Sequence, residues 1–164
     1  GVKPGTTLHF ALNTSDYHKK MAIFAASEWK PKLGLDTQID AMEFKVLLKK
    51  RHAGDYQIAR NGWVADYNDA TTFLQLVQCG SDQNDSGNCN PKADALIKQA
   101  NDSTDQVKRT QLQTQAAKLV MDDYPILPLL QYTTVRLVKS YVGGYSLKNP
   151  MDRYRSKDMY IVAH

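Results

Sequence analysis

The sequence has 164 residues, 42% of them hydrophobic, and a formal net charge of +4. This length fits one domain with its own core, and it also fits a fragment of a longer chain. No apolar run approaches the roughly 20 residues of a membrane span. Basic residues are scattered apart from Lys49–His52, so composition gives little support to nucleic-acid binding. No signal peptide is visible, and a mature exported chain would look the same.

The first sixty residues alternate between strand and helix patterns. Alternating apolar residues rich in β-formers predict strands, and an apolar helical face that stops at Gly34 predicts a helix. The order strand, helix, strand, helix, strand predicts an α/β layer whose strands lie side by side. The predicted strands are Thr7–Asn13, Leu35–Met42 and Tyr56–Ala59, and the helices lie between Asp16 and Leu33 and at Phe44–Lys50.

The second part of the chain predicts helices, then an extended run. A short helix carries Phe73, Leu74 and Val77, and Gly80–Asn90 has the composition of a loop. Pro91 can begin a helix, and Ser103 with Gln106 predicts a capping box before a long helix that Pro125 ends. The apolar run Ile126–Val138 predicts a buried strand, and Met159–Ala163 predicts a short one.

Cys79 and Cys89 flank the polar loop. A pair at this spacing closes a short loop naturally as a disulfide, which favours an oxidising compartment. Two free thiols are the alternative at this stage.

The segment Arg60–Asp69, with the sequence RNGWVADYND, combines an arginine, an indole and an aspartate. The Asp66 carboxylate follows an apolar run, where an ion is costly unless a cation of the protein or of a ligand pairs with it. Both possibilities stay open, and Trp63 can equally be a core residue or a ligand platform. The candidate cations are Arg51, Arg60 and His18.

Catalytic and metal patterns are weak. Ser15, Asp16 and His18 lie together, but they lack a nucleophile elbow. The segment from Asp82 imitates a calcium loop, but Ala93 occupies the position of the bidentate glutamate. The residues therefore demand neither an enzyme nor a metal or cofactor.

The segment GWVADYNDATTFL resembles the signature of the bacterial extracytoplasmic oligopeptide-binding proteins, the family 5 solute-binding subunits of peptide ABC importers. The similarity continues through NTSDYHKKMAIFAASEWKPKLGL, RHAGDYQIAR and YTTVRLVKSYVGGYSLKNP to MYIVAH. Members of this family are much longer than this chain, so the resemblance implies a C-terminal fragment.

The resemblance implies one partial lobe of a two-lobed α/β periplasmic binding protein, with a mixed sheet flanked by helices. Residues 1–133 would belong to the second lobe, and residues 134–164 would cross back to the first. The implied partners are an oligopeptide, the membrane ABC permease subunits and the missing N-terminal lobe, in the periplasm and without nucleic acid.

The resemblance also implies roles for individual residues. An aspartate at position 66 would pair with the peptide α-ammonium group, and the main chain of a strand would pair with an extended ligand. Basic groups would meet the ligand carboxylate at different peptide lengths. The remaining implied site residues are Gly62, Trp63 and Val64 in the strand, Arg60, Arg51 and His18 as cations, Tyr132 as an aromatic lining residue, and Phe44 in place of a pocket tryptophan. Two alternatives remain: a receptor for murein peptides, dipeptides or another small solute, and an interaction or antigenic domain without ligand.

Overall fold

The fold is known from a computed structural model, which describes residues 3, 5–146 and 148–162. The helices are α1 (Asp16–Leu33), α2 (Phe44–His52), α3 (Thr71–Leu74), α4 (Pro91–Asp102) and α5 (Gln106–Asp122). The strands are β1 (Thr7–Asn13), β2 (Asp36–Met42), β3 (Ile58–Ala59), β4 (Val142–Gly143) and β5 (Tyr160–Ile161). Ala163, the last residue of the predicted final strand, lies outside the described residues.

The first three strands form a parallel sheet in the order β2-β1-β3. The central strand β1 carries the buried residues Phe10, Ala11 and Leu12, because it has a neighbour on each side and α1 over it. Gly34 ends α1 in the left-handed conformation, with φ 68°. The predicted α/β class is confirmed, but β4 and β5 form a separate antiparallel pair rather than part of one mixed sheet.

Helices α3, α4 and α5 form a second packed unit, which is called the helical unit below. Its core includes Leu74, Ile97, Ala116 and Val120. The predicted capping box at Ser103 is wrong, because Asp105 accepts hydrogen bonds from the first-turn N–H groups of α5.

The predicted buried strand Ile126–Val138 is also wrong. This run has no regular structure, and the side chains of Val135 and Leu137 are 87% and 100% exposed. Apolar composition predicts that a segment needs burial, but a strand also needs a neighbour with which to share main-chain hydrogen bonds. No strand of the described part of the chain pairs with this run.

A disulfide joins Cys79 to Cys89 and closes the loop between α3 and α4. Inside the loop, the Asn84 side-chain amide donates to the carbonyl oxygens of Gln78 and Asn88, at 3.0 and 2.8 Å. The alternative of two free thiols is therefore not the arrangement found.

Candidate ligand-binding site

The carboxyl ends of the three parallel strands gather several of the predicted site residues at one edge of the sheet. His18 lies in the first turn of α1 after β1, Phe44 begins α2 after β2, and Arg60 directly follows β3. The Arg60 N–H donates to the Ala11 carbonyl of β1 at 2.8 Å, which fixes Arg60 to the sheet. In open α/β sheets, this edge is where ligands bind.

Arg60, His18 and Tyr132 come together there and are called the basic cluster below. Arg60 Nη2 donates to the Tyr132 hydroxyl at 2.8 Å, and His18 Nε2 lies 3.5 Å from the same oxygen. Arg60 Nε is buried and has no hydrogen-bond partner among the described residues. Arg60 also forms no salt bridge with the described residues, so no carboxylate there neutralises this permanent cation.

Burial lowers the pKa of His18, and the neighbouring Arg60 charge lowers it further, while the nearby Asn13 backbone opposes both effects. His18 is therefore mainly neutral at neutral pH, and Arg60 supplies the positive charge of the cluster.

The chain from Trp63 to Ala65 has an unpaired main chain. The N–H and C=O groups of these three residues form no hydrogen bond within the described part of the structure. Val64 is 80% exposed, and no strand is present here. The strand predicted at Gly62–Val64 is thus absent, because a strand is defined by pairing and no neighbouring strand pairs with this segment in the described residues.

Asp66 is exposed and forms no salt bridge with the described residues. Its N–H donates to the Thr72 hydroxyl at 3.1 Å, and the same hydroxyl lies 3.5 Å from Asp66 Oδ2. Thr72 is completely buried, and its oxygen also accepts from Trp63 Nε1 at 3.2 Å. Asp66 is therefore held at a fixed place with its charge unused, and the internal ion pair considered for it is not found.

The internal ion pair of this segment belongs to Asp69, which the sequence analysis missed. Its carboxylate accepts from Arg109 Nε and Nη2 at 2.9 and 3.0 Å and from the Gln113 amide at 2.8 Å. It also caps α3 by accepting from the Thr71 N–H at 2.9 Å. These hydrogen bonds, that of Arg109 first, hold the pKa of Asp69 well below its usual range, although burial opposes the shift. The signal in the sequence was an aspartate two residues before a helix.

The family profile described as "Bacterial extracellular solute-binding proteins, family 5 Middle" matches residues 1–85, just over half of the 164 residues. The chain belongs to this family. Its description places such proteins outside the cytoplasm and makes them binders of solutes.

Individual relatives agree with this assignment. The chain is 40% identical over 158 residues to the "Periplasmic oligopeptide-binding protein OppA" of Escherichia coli K12, covering 96% of this chain and 29% of that protein. It is 41% identical over 166 residues to the "Probable deoxycholate-binding periplasmic protein YgiS" of the same organism, covering 100% of this chain and 31% of that protein.

Among solved structures, OppA of Burkholderia pseudomallei superposes with a TM-score of 0.85 at 55% identity, covering 96% of this chain and 31% of that protein. The chain therefore spans about three tenths of the length of the relatives it matches.

Three further predicted site residues lie outside the basic cluster. Arg51 is 9% exposed and donates to the Asp85 carboxylate, so it does not join the basic cluster, and its contact with a ligand carboxylate stays a prediction. Trp63 packs its ring against the core of the helical unit, which leaves its main chain rather than its indole for a ligand. Phe44 is 48% exposed at the first position of α2.

No group of three or more His, Cys, Asp or Glu side chains could hold a metal ion in the described residues. Over the same part of the chain, no helix is long and apolar enough to cross a membrane.

Proposed function

We propose that the chain forms one wall of the peptide site of an extracytoplasmic receptor that delivers oligopeptides to an ABC importer. The observation that carries this proposal is the order along the chain of a cation without an ion pair, an unpaired main chain and a carboxylate without an ion pair. The basic cluster begins at Arg60, the unpaired main chain follows at Trp63–Ala65, and the unpaired carboxylate comes at Asp66.

An extended peptide carries one group that is complementary to each of these three features. Its α-ammonium group pairs with Asp66, its main chain adds as a strand beside Trp63–Ala65, and its carboxylate meets Arg60. Pairing through the main chain gives affinity with little dependence on ligand sequence, which suits a nutrient receptor. The name of the Escherichia coli oligopeptide-binding relative supports this ligand class.

The remainder of such a receptor completes the site. The run Ile126–Val138 exposes several apolar side chains, and such a surface is typical of an interaction site, which supports contact with a further lobe of the same protein. On this proposal, residues 1–133 belong to the second lobe and residues 134–164 return to the first. The receptor works in the periplasm, docks on membrane permease subunits and catalyses no reaction.

Calorimetric titration of tri- to pentapeptides tests the proposal, with the complete receptor compared with the 164-residue chain. We expect low-micromolar or tighter dissociation constants for the complete receptor, because enclosure supplies most contacts, and weak or no binding for the chain alone. The panel includes a murein tripeptide. Absence of binding by every peptide to the complete receptor would reject the proposal, and hydrolysis of any peptide would reject the non-enzymatic role.

Deoxycholate is the second candidate ligand, because one relative of equal identity carries it in its name. A bile acid has a carboxylate for Arg60 but no cation for Asp66 and no peptide main chain. Deoxycholate is therefore expected to bind more weakly than a tripeptide, and tighter deoxycholate binding in the same titration would favour the second candidate.

Gly62 permits the basic cluster to lie against the main chain. A Cβ atom at this position would be 2.7 Å from Arg60 Nη2 and 3.6 Å from the Tyr132 ring. We expect Gly62→Ala to displace the guanidinium and weaken peptide binding about tenfold, which is about 1.4 kcal/mol. Stability should change by less than about 1 kcal/mol, because the crowded atom is the far end of a flexible side chain.

Titration calorimetry measures the change in peptide affinity of the Gly62→Ala receptor, and urea unfolding measures the change in its stability. Tyr132→Phe is the companion variant, because it removes only the oxygen that accepts from Arg60. Unchanged affinity in Gly62→Ala would remove the Arg60 guanidinium from the site.

A further inference from the structure

The two ends of the proposed peptide site lie on different packed units. The sheet unit comprises residues 5–60 and carries Arg60 and His18 of the basic cluster. The helical unit comprises residues 66–125 and holds Asp66 through the buried Thr72 of α3. The separation between the charges that receive the two ends of a ligand therefore depends on how these units are fixed to each other.

Asp85, in the disulfide loop of the helical unit, reaches the sheet unit. Its carboxylate accepts from Arg51 Nε at 2.8 Å and from Arg51 Nη2, and its Oδ1 lies 2.6 Å from His52 Nδ1. Its carbonyl oxygen accepts from the Tyr56 hydroxyl at 2.5 Å. The Asp85 side chain is only 8% exposed, and that of Arg51 is 10% exposed. Charged groups this enclosed interact strongly and hold a defined geometry.

No other residue of the helical unit makes a hydrogen bond or ion pair to the sheet unit among the described residues. The chain from Asn61 to Ala65, which lacks regular structure, links the two units covalently. Tyr132, which contacts Arg60 and His18, lies beyond the helical unit.

The loop that carries Asp85 is held at several points, so that a movement of the neighbouring helix α4 would reach Asp85. The disulfide between Cys79 and Cys89 closes it, and Asn84, next to Asp85, is bonded to carbonyl groups near both ends of the loop. The N–H of Cys79 also donates to the Asp94 carboxylate of α4 at 3.2 Å. A displacement of α4 would therefore move Asp85 with it.

We propose that Asp85 is a positioning residue that fixes the separation between Asp66 and the basic cluster, and so determines which peptide lengths the receptor binds best. This inference rests on the proposed peptide-binding function. It gives Arg51, as the partner of Asp85, a part in fixing the two units to each other. Loss of the Asp85 charge frees the units to adopt several separations, and the length preference becomes flatter.

The test is a length series of free alanine peptides, from three to six residues, titrated into the complete receptor. We expect Asp85→Asn to reduce the ratio of affinities between the best and the worst length at least fivefold. Asp82→Asn is the matched control, because Asp82 is an exposed carboxylate of the same loop without a hydrogen bond or ion pair in the described structure. Its length profile should match that of the wild type.

A merely structural role would weaken binding of all lengths equally and leave the ratio unchanged, and that result would overturn the proposal. If Asp85→Asn does not fold, Tyr56→Phe decides, since it removes one hydrogen bond to Asp85 and should flatten the profile in the same direction. An unchanged profile in Tyr56→Phe would then count against the proposal. Failure of the peptide function itself would appear separately, as absence of binding in the wild-type receptor.

Discussion

Replacing Asp66 with asparagine is expected to weaken binding of free peptides to the complete receptor by about 30- to 700-fold. This range corresponds to about 2–4 kcal/mol, the cost of removing one partner from an enclosed charge pair. The carboxylate has no internal salt bridge to lose, and its N–H remains bonded to Thr72. The effect should therefore appear in affinity and not in stability. Titration calorimetry and urea unfolding on the same preparation separate the two.

The N-acetylated form of the same peptide is the control for this prediction, because acetylation removes the charge that Asp66 receives. The acetylated peptide should bind the wild-type receptor as weakly as the free peptide binds the variant. In the Asp66→Asn receptor, acetylation should cost little more. If acetylation and the substitution instead lower affinity independently, Asp66 does not contact the ligand amine.

The α/β order of the first sixty residues could be predicted from the sequence because its signals are local. The alternation in Thr7–Asn13 and the left-handed glycine at position 34 act within a few residues, and both elements are found at the expected bounds. The run Ile126–Val138 illustrates the limit of such signals. Its composition indicates a need for burial, but strand formation depends on a partner that local sequence does not specify.

Site residues were predictable in type but not always in role. Asp66 and Asp69 are three residues apart and look alike in sequence, yet only Asp69 meets Arg109, forty residues further along the chain. Arg51 was likewise predicted as a cation, but its pairing with Asp85 of the disulfide loop was not. Convergence of distant residues depends on tertiary packing, which periodicity does not encode.

The free charge of Asp66 depends on the paired charge of Asp69. Arg109 is committed to Asp69 and to the Ala100 carbonyl, so its charge is not available to Asp66. The same network fixes the start of α3, from which Thr72 holds the Asp66 main chain. One carboxylate of the segment thus anchors it to the helical unit, and the other remains for a ligand.

Asp69→Asn is accordingly expected to lower the free energy of unfolding of the 164-residue chain at pH 7 by about 2–3 kcal/mol. This is the cost of losing hydrogen bonds to a charged group while Arg109 is left without its partner. Because the pKa of Asp69 is lowered in the folded state, the stability that its carboxylate contributes is fully present above the pKa of the unfolded chain. The contribution is lost progressively as the pH falls below about 4. Urea unfolding at pH 7 and pH 3 measures both effects.

Asp102→Asn is the control for this prediction, because Asp102 forms an exposed pair with Lys98 one helical turn away. That variant should lose no more than about 0.5 kcal/mol. The difference between wild type and Asp69→Asn should shrink at pH 3, since Asp69 of the unfolded wild-type chain is largely protonated there and must release that proton to form the folded network. If the difference in the free energy of unfolding between wild type and Asp69→Asn stays constant between pH 7 and pH 3, packing of the side chain, and not its charge, holds the segment in place.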